Sequence, residues 1–449
     1  MRVGGIAAAL EGLAPALARA GIEVHVVTCG ASGGDAEEEQ APGLFIHRVN
    51  VEGHTHDFIH WVHLLNFQME ARANALIEQW AAEPKSQRKP ILLHVHDWLG
   101  YFSGRSLKYR HHLPLLCTIH ATEFGRNNGI HTEMQRYINQ IEWELQFESW
   151  RVIVCSKFMR GEVMHALSTP YDKVDVIYNG VDPTVFDFPF PDDEREAFRA
   201  RFALPFEKIV FFIGRMVREK GAQVLVQSLP EVRARCGDVK LIIAGGGYRN
   251  HLEDLARSLN LGDAALFTGR ISDHDRDRLY RVADAAVYPS LYEPFGIVAL
   301  EAMAAHVPVV VSEAGGLAEV VEHDVTGTTT YVEDAHSLAW GISRVLNEPD
   351  RAQDMADAAY DRVLNVFNWD RIAGETAAVY HRIWGEYTNS DWAQGSPLFA
   401  LAKPVKRTAP PRPRKKAVEA TGEGTGADVA APGPTPGVTD GGGDGAANG

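Results

Sequence analysis

The chain has little cysteine, too little positive charge to balance its acids, and no long apolar run. Each shortage removes a class of protein. Four cysteines occur in 449 residues. Cys29, Cys117, Cys155 and Cys236 lie far apart, in or beside apolar stretches or next to a Gly, and without metal-ligand spacing. They read as reduced, mostly packed thiols rather than a disulfide framework or a zinc site. Asp and Glu number 59 against 44 Lys and Arg, a formal net charge of −15, which disfavours a nucleic-acid partner or an anionic membrane. An anionic substrate would need a local basic pocket. No apolar run approaches the roughly 20 residues that cross a bilayer, and the N-terminus has no basic start followed by an apolar stretch. The expectation is a cytoplasmic protein without stable membrane insertion.

What the chain does have is alternation of strands and helices. Residues 6–20 carry a helical pattern closed by Gly21, and 23–28 alternate toward a strand. Further strands are predicted at 91–96, 115–120 and 152–155, with amphipathic helices between. The helix over 132–150 spaces Met134, Tyr137, Ile138, Ile141 and Leu145 as a core-facing stripe. A second series has strands at 209–213, 241–244, 286–288 and 307–311. Such alternation predicts α/β architecture with parallel sheets covered by helices, in two doubly wound domains whose ligands bind in the cleft beyond the strands' carboxyl ends. The turn residues Asn179-Gly180-Val181-Asp182-Pro183 follow a strand at 176–178 and mark the join, giving domains at 1–180 and 181–370. Beyond Gly395 the composition changes. Residues 403–416 mix Pro with seven Lys and Arg, and 419–449 are dominated by Gly, Ala, Pro and Asp. A disordered tail is expected over 396–449, with a basic docking segment for an anionic partner as the other reading.

One expected element is wanting. A fold of this type opens with a strand feeding a Gly-rich turn, yet Gly4-Gly5 and a helix follow Met1 almost at once. The expectation is that the start lies too far downstream and that a central strand is missing, which would leave backbone groups unpaired.

The chemistry concentrates in the second half. The block Tyr292-Glu293-Pro294-Phe295-Gly296-Ile297-Val298-Ala299-Leu300-Glu301 sets two carboxylates eight positions apart across the start of a predicted helix. Eight residues at helical rise span roughly 12 Å, about the reach from a sugar across a pyrophosphate to a ribose. A phosphate can rest on the free N–H groups at Gly296 and Ile297. Glu301 falls inside an otherwise apolar helix, where a carboxylate costs free energy unless something pairs with it. Arg215 ends the segment Phe211-Phe212-Ile213-Gly214-Arg215, and Lys220 follows in Glu219-Lys220-Gly221. Beyond a strand end, both can neutralise a pyrophosphate; alone they would read as a solvated pair. Gly315-Gly316, between a strand and a helix, allows close backbone approach to phosphate, and Gly4-Gly5 offers the same from the first domain. Gly245-Gly246-Gly247 reads equally as a nucleotide-pocket lining or a flexible turn. In His94-Val95-His96-Asp97-Trp98 the two histidines share a strand face, which fits either a metal pair or polar groups at a strand end; no further ligand cluster is evident. His120, at another strand end, reads as a sugar contact or a structural histidine. Asp273-His274-Asp275 is read as a helix start capped by Ser272 or Asp273 rather than a metal site.

Together these residues resemble the retaining GT-B glycosyltransferases of family 4 (glycosyl transferase group 1), two Rossmann-like domains facing a cleft, and within them the glycogen-synthase-like members. The resemblance runs from about Val3 to Trp384 and rests on Gly214-Arg215, Glu219-Lys220-Gly221, the 293–301 block and Gly315-Gly316-Leu317. It implies that Arg215 and Lys220 hold the donor diphosphate, Glu293 contacts the transferred sugar and Glu301 the ribose, with Phe295, Gly296, Ile297, Gly315, Gly316, Gly4 and Gly5 around the donor. His120 matches a donor-sugar histidine, and His96, Asp97 and Trp98 an acceptor-side motif. A last helix, within 371–395, would cross back onto the first domain. The chain departs from bacterial glycogen synthases in having Arg2-Val3-Gly4-Gly5 where they have Lys-Thr-Gly-Gly. The implied reaction moves a hexosyl group, glucose by likeness, from a nucleoside diphosphate sugar to an acceptor hydroxyl, with retained configuration and neither cofactor nor metal. Front-side attack would deliver the acceptor proton to the leaving phosphate oxygen. The acidic candidate helices at 68–82 and 132–150 favour an α-glucan or small soluble acceptor over a membrane-borne one. The rival readings are a nucleotide-sugar epimerase of similar shape and a silent sugar-binding protein that kept the cleft.

Overall fold

The computed structural model describes residues 5–30 and 33–396. Gly4 and the segment 403–416 therefore lie outside the described residues, as does all of the expected tail except Ser396, which is buried with its hydroxyl on the His111 carbonyl at 3.0 Å.

The first half opens with helix α1 (Gly5–Arg19) and the strands β1 (Val24–Cys29), β2 (Glu37–Ala41) and β3 (Leu44–Val49). These form a small sheet in the order β1-β3-β2, with β1 and β3 parallel and β2 antiparallel. Helix α2 (Phe58–Ala81) follows, then β4 (Leu93–His96), α3 (Tyr101–His111), β5 (Leu115–Ile119), β6 (Arg151–Val154) and β7 (Val174–Val176). The last four strands make a separate parallel sheet, β4-β5-β6-β7. All five residues of β5 are buried, as a parallel strand covered on both faces requires.

In the second half, β8 (Lys208–Ile213), β9 (Val239–Ala244), β10 (Ala265–Gly269), β11 (Ala285–Tyr288), β12 (Val309–Ser312) and β13 (Thr328–Thr330) form one parallel sheet. Its order is β10-β9-β8-β11-β12-β13. Successive strands step one way from β8 to β10 and the other way from β11 to β13. The switch point falls between β8 and β11, the place where ligands bind in doubly wound sheets, beyond the carboxyl ends of the strands.

Several details differ from the sequence reading. Met134 is exposed, so the core stripe of helix Glu133–Glu148 begins at Tyr137. Met134 falls in the first turn, held by a capping box between Thr132 and Gln135 instead of by packing. The helix expected from residue 68 starts at Phe58, because the Asp57 carboxylate caps it by accepting the His60 N–H at 2.8 Å. Cys29 and Cys236 are only half-buried, while Cys117 and Cys155 are buried. The last long helix, Trp369–Thr388, lies against the first half: Asp370 pairs with Arg19 of α1 at 2.7 Å, and the Tyr380 hydroxyl meets His94 Nδ1 at 2.8 Å. Among the described residues no helix is long and apolar enough to cross a membrane.

Candidate active site

The loops after β8 and β11 meet at the switch point. The Leu291 N–H donates to the Glu219 carbonyl at 2.8 Å, so the loop bearing Lys220 and the turn bearing Glu293 are tied together by backbone. Gly221 makes the approach possible. Its φ is +72°, and a Cβ there would overlap the Pro289 carbonyl. The result is a contact of 2.7 Å between Lys220 Nζ and Glu293 Oε2, with the Glu293 side chain 10% exposed. Arg215 is different: it pairs with Glu219 at 2.9 Å and stays 60% exposed. A pair so open is worth about 0.3–0.5 kcal/mol, and an anion can take the guanidinium at little cost.

Glu293 is also fixed from behind. The Gly316 N–H donates to the Glu293 carbonyl at 2.8 Å, and Cβ atoms at Gly315 and Gly316 would run into the Glu293 and Pro294 carbonyls. The paired glycines thus seat the Glu293–Phe295 turn, so their closest service is to the carboxylate's own backbone. Gly296, at φ +109°, caps the helix Ile297–Ala304. Within that helix Ala299, Leu300, Ala302 and Met303 are buried, and Glu301 is 9% exposed with Oε2 3.3 Å from the Tyr280 hydroxyl. Arg276 lies close enough that, although burial works against its charge, the carboxylates of Glu301 and Asp277 outweigh it and raise its pKa. The apolar helix therefore carries its acid with the compensation that burial demands. The triple glycine after β9 is a close-packing device, since Cβ atoms at Gly245 and Gly247 would press on the backbone of Gly214 and Met216. Ser272 is the cap of helix Asp273–Val282, accepting the Asp275 N–H at 3.0 Å.

On the facing domain, Asp97 has φ 56° and ψ 176°, a region nearly restricted to glycine that costs of order 1–3 kcal/mol in other residues. It is 3% exposed. One carboxylate oxygen accepts the His120 N–H at 2.7 Å; the other accepts no hydrogen bond and has Arg126 at 3.6 Å. Backbone strain and a buried oxygen without a hydrogen bond coincide at this residue. Trp98, expected beside it on the acceptor side, is buried in the core with its ring edge toward Phe58. His120 reaches the donor turn through Cys155, whose thiol lies 3.8 Å from the His120 carbonyl and 3.7 Å from that of Pro294. Gly5 opens α1 with free space around it.

Four residues that tie the two halves were not visible as a set in the sequence. Ser156 donates to the Pro294 carbonyl at 2.7 Å, Glu319 accepts the N–H groups of Lys157 and Phe158 at 2.9 and 2.8 Å, and the Tyr292 hydroxyl donates to Glu162 at 2.8 Å. Ser156 carried a local signal as a cap before an amphipathic run. Glu319, Tyr292 and Glu162 carried none, because their partners lie more than 100 positions away. Burial pushes the Glu162 carboxyl up in pKa, against the hydrogen bonds from Thr122 and Tyr292.

His94, His96 and His120 form a half-buried row: His96 Nδ1 is 3.0 Å from His120 Nε2, and His94 Nε2 is 2.7 Å from the Thr118 hydroxyl. Among the described residues no three His, Cys, Asp or Glu side chains are arranged to hold a metal. Burial depresses all three pKa values, that of His94 to about 3. A histidine depressed in the folded state contributes stability that is complete above its unfolded pKa near 6.5 and lost as pH falls toward the folded value. Glu142, raised by burial to about 8, and Glu162, also raised by burial, act with opposite sign, two carboxyls against five imidazoles, since burial lowers His47 and His111 as well. The urea midpoint is therefore expected to fall between pH 6.5 and pH 5, and replacement of His94 by Gln should flatten that slope; an unchanged slope contradicts the assignment.

This geometry agrees with comparison to known proteins. Residues 194–362 match the family described as Glycosyl transferases group 1, and residues 3–185 match Glycosyltransferase Family 4. An uncharacterized glycosyltransferase of Methanocaldococcus jannaschii is 38% identical over 380 residues, covering 84% of this chain and 94% of that one. The glycogen synthase of Mycobacterium tuberculosis is 33% identical over 389 residues, covering 84% and 91%. The sucrose-phosphate synthase of Thermosynechococcus elongatus superposes with a TM-score of 0.71 at 27% identity, over 86% of this chain and 94% of that one. The chain belongs to the family 4, group 1 glycosyltransferases and has their GT-B fold.

Proposed function

We propose that this glycosyltransferase is a retaining hexosyltransferase that moves glucose from a nucleoside diphosphate sugar to a hydroxyl of an α-glucan or a small soluble acceptor. The observation that carries this reading is the Lys220–Glu293 pair, 2.7 Å apart at the switch point of the second sheet. It sets a cation for a diphosphate beside a carboxylate for sugar hydroxyls, on rigid backbone. The likeness to a glycogen synthase at 33% identity supports the glucan.

In this reading Arg215 and Lys220 stabilise charge as it gathers on the leaving diphosphate. Glu293 accepts hydrogen bonds from the sugar, and His120, its pKa lowered by desolvation, can donate or accept as a neutral ring. Glu301 takes the ribose hydroxyls, and the N–H groups at the start of helix Ile297–Ala304 face a phosphate. The acceptor lies on the Asp97 side and passes its proton to the departing phosphate oxygen. Catalysis is then positioning and charge stabilisation, without cofactor or metal. We place the enzyme in the cytoplasm, where nucleotide sugars are its donors.

The reading is tested by supplying ADP-, UDP- and GDP-glucose with and without glycogen. Diphosphate release that requires the glucan supports it; epimerised donor without acceptor, or donor binding without turnover, contradicts it. Glu301→Ala is expected to weaken donor binding by about 10–100-fold, the worth of one or two hydrogen bonds to a charged group. Its kcat at saturating donor should change far less, and a loss confined to kcat would remove the ribose role.

A further inference from the structure

Helix Lys157–Ala166, which follows β6, is held at its N-terminus by both halves of the chain. Ser156 caps it by accepting the Met159 N–H at 3.0 Å and donates its own hydroxyl to the Pro294 carbonyl at 2.7 Å. The Glu319 carboxylate takes the N–H groups of Lys157 and Phe158 at 2.9 and 2.8 Å. The N–H groups that a helix start leaves free are therefore satisfied largely from the second half. The backbone of this helix is fixed against the Glu293 turn.

In its second turn the helix carries Glu162. One oxygen of that carboxylate, Oε1, accepts two hydroxyls: that of Thr122 at 2.6 Å and that of Tyr292 at 2.8 Å. Thr122 lies two positions after His120, and Tyr292 immediately precedes Glu293. The loop after β5 and the turn after β11 thus meet on one atom. Gly125 makes room for the meeting, since a Cβ there would collide with both the Glu162 carboxylate and the Tyr292 hydroxyl. Hydrogen bonds to an ionised oxygen are short and roughly twice as strong as neutral ones, so the two loops are held at a defined separation.

We infer that Glu162 is a positioning residue for glycosyl transfer: by holding these two loops on one carboxylate oxygen it sets the distance between His120 and Glu293. What His120 and Glu293 do to the transferred sugar rests on the function proposed above; how they are held does not. Lys220 meets Glu293, and Arg215 meets Glu219, within the second half, so donor binding does not pass through Glu162. A displacement of about 1 Å between groups that flank a reacting centre can cost on the order of 10²-fold in rate.

The test uses the full chain with the nucleoside diphosphate glucoses and glycogen. Glu162→Ala is expected to lower kcat by about 10²-fold and to leave donor affinity nearly unchanged. Glu162→Gln keeps an oxygen that can accept both hydroxyls and should recover most of the loss. Once Tyr292→Phe has removed one hydroxyl, Glu162→Ala should cost less than it does alone, because the pair acts as a unit. Should Glu162→Ala fail to fold, Tyr292→Phe carries the same expectation of lower kcat at unchanged donor affinity. Asp334→Ala is the control: its carboxylate also takes two groups, the N–H of His336 and of Ser337, each at 2.9 Å, but wholly within the second half. It should lower the urea midpoint with kcat unchanged. Equal kcat losses in Glu162→Ala and Asp334→Ala overturn the role, as does a Gln variant no better than Ala or a pair of losses that simply add.

A signal that needs no acceptor separates this role from the choice of substrate. In protein labelled with nitrogen-15 histidine, donor binding should shift the His120 ring resonances in the wild type and in Glu162→Gln, and much less in Glu162→Ala. The same shift in all three removes the role of Glu162 and leaves the proposed function standing. Donor binding without transfer to glycogen removes the proposed function, while the His120 signal still decides the role of Glu162. If no nucleotide sugar binds, both fall.

Discussion

Lys220→Ala is expected to lower kcat at saturating donor by about 10²–10³-fold, the usual effect of deleting one preorganised group that stabilises transition-state charge. Donor affinity should fall much less, because in the proposed reading Arg215 and the helix N-terminus also hold the diphosphate. Loss of the ammonium also leaves Glu293, 10% exposed, without its cation. In a fully buried pair that would cost roughly 3–5 kcal/mol, and the partial exposure of Lys220, 22%, reduces it. Near-ultraviolet circular dichroism and urea midpoints separate the two effects. A variant that stays folded, binds donor and loses turnover supports the role given to Lys220; equal losses confined to affinity contradict it.

Gly221→Ala should damage the fold and the site together. The residue sits at φ +72° with the Pro289 carbonyl where a Cβ would lie, so left-handed strain and overpacking add. Their sum is roughly 2–5 kcal/mol, a large part of the stability of an ordinary domain. The strain is relieved only by separating the β8 and β11 loops, which breaks the Leu291 to Glu219 backbone bond and moves Lys220 away from Glu293. A lower melting temperature accompanied by a larger kcat loss than in Gly237→Ala is expected. Gly237 also has positive φ but open space around it, so it reports strain without collision. Equal effects at the two positions would remove the steric argument.

The donor half was legible because its residues follow one another in the chain. Arg215, Lys220, Glu293, Glu301 and the paired glycines lie at strand ends or helix starts, where periodicity and turn residues locate them. The tie between Lys220 and Glu293 was not legible, since it depends on Gly221 admitting the Pro289 carbonyl, a contact across 68 positions. That Gly315-Gly316 also seats the Glu293 turn is a packing contact that needs coordinates. The hairpin of β2 and β3 has no counterpart among the expected strands, because Glu37, Glu38 and Glu39 carry no apolar alternation. Trp98 was expected on the acceptor side beside Asp97; the turn at Asp97, held at φ 56°, precedes a Trp98 side chain buried in the core, which residue type alone does not reveal.

The measurement that bears most directly on the whole account is a time course of the anomeric proton signals by nuclear magnetic resonance. The protein is given an α-linked nucleoside diphosphate glucose and glycogen. The account predicts new α-glycosidic linkages that appear with nucleoside diphosphate, stop when glycogen is withheld, and are lost in Lys220→Ala. A β-linked product, or epimerised donor with no new linkage, would contradict it.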